Sequence, residues 1–247
     1  MTRLLATDLD GTFIGDDAAM MDLWASLEDA GILVVFSTGR HLPAIDAFYA
    51  DQQVAQRADA CICMVGTEIW LRTDYQYELD DAWSEHIGDA WNKKGVEEIL
   101  HDIPAVTMQP AEWQSQLKSS YYLEHDADAT LTRIRDELSD RGLNAKVVFS
   151  AGRYLDLLPY RSGKGGAVSW LTAEFGIDPA DVITAGDTGN DLDMMRADLG
   201  FRSIAVGNAS AELGRVREPQ IYHAAAEYAA GIREGLEHYG WLPARPM

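Results

Sequence analysis

Apolar positions along this chain fall first into continuous runs separated by helical stripes, and the arrangement changes in the middle before returning. "RLLATD" (3–8), "ILVVFS" (32–37) and "ACICMV" (60–65) are apolar runs of strand length. Such runs are expected where helices cover both faces of a sheet. Between them, "DDAAMMDLWASLEDAG" puts Met20, Leu23, Trp24 and Leu27 on one helical stripe, with Gly31 as its stop. "HLPAIDAFYADQ" predicts a second helix with Pro43 in its first turn. The order β-α-β-α-β predicts an α/β fold built on a parallel, doubly wound sheet.

From about residue 81 to 160 the pattern becomes helix, strands, helix, strands. "AWSEHIGDAWNKKGVEEILHDI" predicts helix, "LKSSYYLEH" a strand, and "ADATLTRIRDELSDRG" a helix with Leu131, Ile134 and Leu138 at helical spacing. "NAKVVFS" and "RYLDLLP" predict a hairpin about the turn "AG". The parallel pattern then resumes: "SGKGGAVSWLTAEFG" as helix, "DVITAG" as strand, "NDLDMMRADLG" as helix, "SIAVG" as strand, and "AAAEYAAGIREGLEHYG" as a final helix. The expected organisation is a core of residues 1–80 and 161–247 interrupted by an α+β module at 81–160.

Composition narrows the partners. Forty acidic against twenty basic residues give a net charge of −20, which argues against nucleic acid and anionic membranes. No apolar run reaches the roughly 18 residues of a membrane span. The N-terminus lacks the features of a secretory signal. Cys61 and Cys63 would share one face of a strand as buried thiols, so a cytoplasmic chain without disulfides is expected.

The residues able to do chemistry collect at strand ends, where parallel sheets bind ligands. Asp8 and Asp10 follow the first strand, Thr38 the second, and Asp187 and Asp191 a later one, while Lys164 opens a helix. Each has a plainer reading. "DLDGT" is a plausible turn, "GDTGND" a helix start capped by Asp187 or Thr188, and Lys164 a surface lysine. Ser37 or Thr38 of "STGR" has the pattern of a cap for the next helix. Together they are harder to dismiss, because carboxylates gathered at one sheet edge repel unless a cation joins them. Hard oxygen ligands suit Mg²⁺, and Mg²⁺ with Lys164 would let this acidic chain accept a phosphorylated substrate.

"DLDGT", "STGR", the lysine of "SGKGG" and "GDTGND", in this order, resemble the haloacid dehalogenase (HAD) superfamily of phosphatases. The insert lies where members with a subclass B, C2-type cap carry it. "VGTEIW", "LKSSYYL", "LDLLP", "VGNA" and "AAGIREGL" are similar to the sucrose-phosphatase group, which includes phosphatases of related disaccharide phosphates such as mannosylfructose-phosphate. The resemblance implies a HAD-like Rossmannoid core and Mg²⁺-dependent hydrolysis of a sugar phosphate. Asp8 would be the nucleophile that forms an aspartyl-phosphate, and Asp10 the acid and base, with Thr38 and Lys164 binding the phosphoryl group. Asp8, Asp10 (through its carbonyl), Asp187 and Asp191 would hold the metal. Gly39, Arg40, Glu68, Lys118, Asn190 and Asn208 are the expected substrate contacts.

Trp83, Trp91 and Trp113 have flat faces suited to sugar rings, but core packing is the reading favoured for all three. A monomer or weak homodimer acting on a small-molecule sugar phosphate is expected. The alternatives are a related phosphatase or phosphomutase acting on smaller sugar or polyol phosphates, and a non-catalytic binding module. The second conflicts with the presence of every motif residue.

Overall fold

Residues on neighbouring positions of the first strand bury in opposite directions, which makes that strand the centre of a sheet covered on both sides. The computed structural model describes residues 2–244 except 53 and 75. Leu5 of β1 (Arg3–Thr7) enters one apolar cluster, with Phe13, Trp24 and Phe36, while Leu4 and Ala6 enter another, with Val35, Val168 and Leu171. The first cluster lies beneath α1 (Asp17–Asp29), α2 (Leu42–Asp51) and α7 (Tyr228–His238). The second lies beneath α3 (Asp81–Gly88) and α6 (Lys164–Glu174).

The sheet has eight strands in the order β12-β11-β10-β1-β2-β3-β4-β5. From β12 (Ile221–His223) through β11 (Arg202–Ala205), β10 (Val182–Gly186), β1 and β2 (Ile32–Ser37) to β3 (Ala60–Cys63) it is parallel. β4 (Glu68–Arg72) and β5 (Tyr77–Leu79) extend it antiparallel. Chain order runs outward from β1 in one direction and from β10 in the other. The β1/β10 boundary is therefore the switch point at which open α/β sheets bind ligands.

A second, antiparallel sheet has the order β6-β7-β9-β8. Its strands are β6 (Val106–Met108), β7 (Ser119–Leu123), β8 (Ala145–Ser150) and β9 (Tyr154–Pro159). Tyr121, Leu123, Leu155 and Leu157 pack under α4 (Lys93–His101) and α5 (Ala127–Asp140). Because a strand alternates, Ser120, Tyr122, Tyr154 and Asp156 occupy the other face.

Several predicted elements differ in detail. The single helix expected over 82–103 is two, α3 and α4, separated by a turn in which Ala90 takes φ 64°. Trp83 and Ile87 of α3 are buried in a core cluster of the large sheet, with Trp170 against it. The beginning of the 81–160 insert thus packs with the core. "NDLDMMRADLG" forms 3₁₀ turns at Gly189–Met194 and Ala197–Leu199 instead of an α-helix. Asp191 accepts the backbone N–H groups of Asp187 and Thr188, both at 3.0 Å, and this folds the segment back on the strand end. His41, not Ser37 or Thr38, caps α2. The short strands β4, β5, β6 and β12 lie outside the sequence reading.

The crossing between the two sheets is tight. Gly66 has φ 88°, and a Cβ there would lie 2.2 Å from the carbonyl carbon of Gly163, where the chain returns from β9 to α6. Gly66→Ala is expected to destabilise the protein by about 3 kcal/mol or more, since backbone must move on backbone. Denaturant unfolding would measure it, and a midpoint like that of the unaltered chain would refute it.

Candidate active site

Three adjacent parallel strands bring the central side chains together. Asp8 follows β1, Thr38 follows β2 and Asp187 follows β10. The Asp8 N–H donates to Ala185 O at 2.9 Å, so the β1/β10 ladder holds the residue that leaves the sheet. Gly11 makes the return possible: with φ 78°, it lets Asp187 approach where a Cβ would lie 2.5 Å from Asp187 Oδ2. Thr12 Oγ1 donates to Asp187 Oδ1 at 3.2 Å.

Lys164 is the hub. At the first position of α6 and 1 % exposed, its ammonium reaches Asp8 Oδ1 and Asp191 Oδ1, both at 2.6 Å. The surface-lysine reading is therefore excluded. Gly186 has no Cβ to obstruct Asp191, whose side chain occupies the place a Cβ would take. Burial pushes the Asp8 carboxyl up to about 8; Lys164 opposes this, while Asp191 and Asp187 reinforce it. Burial and Asp191 push Asp187 up to about 6. The two buried carboxylates hold Lys164 firmly protonated despite its own burial.

Asp8, Asp187 and Asp191 each offer an oxygen, all within 4.8 Å of one another. One ammonium against three carboxylates leaves an excess of negative charge in a partly dry site. A hard divalent cation relieves that excess, and this all-oxygen donor set fits Mg²⁺.

Above the cluster is a cavity of about 390 Å³, with the catalytic edge of the large sheet on one side and the uncovered face of the small sheet on the other. Asp10, Thr38, Gly39, Arg40 and Asn190 line it. Arg40 clamps Asp10 with two bonds, Nε to Oδ2 at 2.8 Å and Nη2 to Oδ1 at 2.5 Å. Thr38 Oγ1 accepts the Arg40 N–H at 3.2 Å, which leaves its own proton available to the cavity. Lys118 reaches the cavity from the small sheet, buried and 3.2 Å from Asp156 Oδ1.

Two expected contacts lie elsewhere. Glu68 does not line the cavity; its carboxylate accepts the Trp70 indole N–H at 3.0 Å on β4. Asn208 is a brace, donating to Gly11 O at 2.7 Å and accepting from Tyr228 N at 2.9 Å. It ties the Asp8–Thr12 turn to the start of α7. The tryptophans divide: Trp83 is in the core, Trp91 packs against the small sheet's cluster, and Trp113 lines the cavity. Asp156, missed in the sequence, had one signal: it is the lone charge in the apolar alternation "YLDLLP".

The fold is that of HAD-like hydrolases. A haloacid dehalogenase-like hydrolase protein from Bacillus subtilis aligns with a TM-score of 0.71 at 18 % identity, covering 97 % of this chain and 92 % of its own. Within that class, the chain belongs to the sucrose-6F-phosphate phosphohydrolase family, which it matches over residues 1–240, and it is a phosphoric monoester hydrolase. It is 36 % identical to mannosylfructose-phosphate phosphatase of Agrobacterium fabrum, over 98 % of each chain. It is 30 % identical to sucrose-phosphatase 1 of Nicotiana tabacum, over 97 % of this chain and 60 % of the tobacco enzyme. The structure of the Synechocystis sucrose-phosphatase in complex with sucrose and phosphate aligns with a TM-score of 0.90 at 27 % identity, covering 99 % of this chain and all of that one.

Proposed function

We propose that this enzyme is a Mg²⁺-dependent phosphatase of a phosphorylated disaccharide, sucrose 6-phosphate or mannosylfructose-phosphate, acting through an aspartyl-phosphate. The observation that carries the reading is the buried Asp8–Lys164–Asp191 cluster at the base of a cavity whose far wall is polar small-sheet surface. The 36 % identity to a disaccharide-phosphate phosphatase over almost the whole length supports the substrate class.

In this reading the Asp8 carboxylate attacks phosphorus, forming an O–P bond as the bond to the sugar oxygen breaks. Arg40 holds both Asp10 oxygens in this structure. It would have to move off one of them for that oxygen to carry the proton that Asp10 gives to the departing oxygen. Asp10 would then take a proton from the water that hydrolyses the acyl phosphate. The Thr38 hydroxyl, which lines the cavity, would donate to a phosphoryl oxygen, and Lys164, buried beneath Asp8, would offset the negative charge gathered there. Mg²⁺, held by Asp8, Asp187 and Asp191, would supply charge neutralisation for the phosphoryl group. The segment from Trp91 to Pro159 would act as the cap that selects the sugar, with the active site in the crevice beneath it.

Phosphate release from sucrose 6-phosphate, mannosylfructose-phosphate and glucose 6-phosphate tests this, with Mg²⁺ and after chelation. A disaccharide phosphate is expected to exceed glucose 6-phosphate by about tenfold or more in kcat/KM, a difference of about 1.4 kcal/mol in transition-state binding. Chelation is expected to stop turnover. Equal use of all three esters would refute the substrate class, and full activity without metal would refute the cation's role.

A further inference from the structure

Trp113 is a large apolar side chain that the fold leaves out of its cores. It ends the 3₁₀ turn Ala111–Trp113, is half-buried, and belongs to none of the apolar clusters formed by the described residues. It lines the cavity, and its ring meets that of His41 across the gap, with centroids 5.6 Å apart and planes 35° apart.

The turn that carries it is firmly held. The Gln114 side chain donates to Gln109 O at 3.0 Å and to Ser120 O at 2.8 Å, and accepts from Ser120 N at 2.8 Å. Ser120 Oγ lies 3.0 Å from Trp113 O and 2.5 Å from Asp156 Oδ1. The indole is thus built onto β7 beside the buried Lys118–Asp156 pair. A flat apolar face next to a donor and an acceptor suits a ring with C–H faces and a hydroxylated rim, as a sugar has. Because the turn is already ordered, little side-chain freedom is lost on binding.

We propose that Trp113 determines specificity for the sugar: the ring farther from the phosphate stacks on its indole. This rests on the disaccharide-phosphate reading above. It also distinguishes Trp113 from a latch whose task is to hold the two layers together through His41.

The test compares the unaltered enzyme with Trp113→Phe, Trp113→Leu and His41→Asn, using the preferred disaccharide phosphate and acetyl phosphate, which has no sugar. His41→Asn removes the ring but keeps an acceptor for the α2 cap, which His41 now supplies to Ala44 N at 3.1 Å. Trp113→Leu is expected to lower disaccharide-phosphate kcat/KM at least about tenfold more than acetyl phosphate kcat/KM, mostly through KM, since an aromatic contact and its area are worth about that much. Trp113→Phe should recover most of the difference, and His41→Asn should not reproduce it.

Equal losses on both substrates, or a His41→Asn enzyme that behaves like Trp113→Leu, would overturn the inference in favour of a structural latch. An unchanged KM in Trp113→Leu would overturn it outright. An unaltered enzyme that hydrolyses acetyl phosphate but no sugar phosphate would instead refute the substrate reading, and the inference with it. Thermal melts of each variant separate misfolding from these outcomes, and Trp113→Phe alone decides the matter if Trp113→Leu does not fold.

Discussion

Asp8→Asn is expected to abolish phosphate release, by about 10⁴-fold or more, while leaving the protein folded and no less stable without metal. In the proposed reaction the loss is large because an amide cannot form the acyl phosphate, and residues acting as one catalytic unit lose nearly everything when the nucleophile goes. Stability should hold because the Asp8 carboxylate is a burden to the metal-free fold. It is 7 % exposed, close to Asp187 and Asp191, and pushed up to about 8 chiefly by burial. A neutral amide of the same shape removes that burden, and Lys164 keeps Asp191 as a partner at 2.6 Å. Malachite-green phosphate assay and a thermal melt in chelator read the two halves separately. Undiminished turnover would refute the nucleophile assignment. A collapsed fold would show that Asp8 is needed for the architecture.

Lys164→Met should have the opposite balance, a severe loss of stability together with lost activity. Lys164 is the cation between Asp8 and Asp191, and its removal leaves two buried carboxylates facing each other. Breaking a buried pair from one side typically costs about 3–5 kcal/mol. Loss of a charge-stabilising group typically lowers turnover about 10²–10³-fold. The pH dependence follows from the carboxyls pushed up in the fold, Asp187 to about 6 and Asp8 to about 8 from 3.8. A folded-state value above the unfolded one means that the folded state binds more protons. Stability from these groups is therefore full below pH 3.8 and falls as pH rises through about 6 and 8. In chelator, both proteins should melt lower at pH 8 than at pH 5, and the variant should fall further. Added Mg²⁺ should recover the deficit more at pH 8; at about a hundred times its Kd a bound ligand adds about 2.7 kcal/mol. A melting temperature that rises from pH 5 to pH 8 without metal would contradict this account.

The core of the site was legible because each of its residues sits at a place that local pattern defines. Asp8, Thr38 and Asp187 follow apolar runs, and a parallel strand order puts the ends of those runs side by side. Lys164 follows a glycine and opens a helix, so its approach to Asp8 follows from the same topology. Glu68 opens β4 and Asn208 lies past the end of β11, yet their side chains are taken up by Trp70 and by Gly11 with Tyr228. No spacing rule distinguishes a strand-end residue that faces the ligand from one that braces a loop. Trp113 shows the converse, since an indole in sequence carries no sign of whether a core will surround it.

The sequence by itself determined the alternation of strands and helices, the interruption by a second layer, and the carboxylates placed at neighbouring strand ends. These follow from periodicity and turn residues, which act over a few residues, or require only topology. The tertiary structure decided which face of the small sheet meets the catalytic edge, that α3 packs with the core, and that "GNDLDM" winds as a 3₁₀ turn around Asp191. It also placed Trp113, Lys118 and Asp156 on one wall opposite Asp8. Those outcomes depend on contacts between segments far apart in the chain, where packing and hydrogen bonding override local preference.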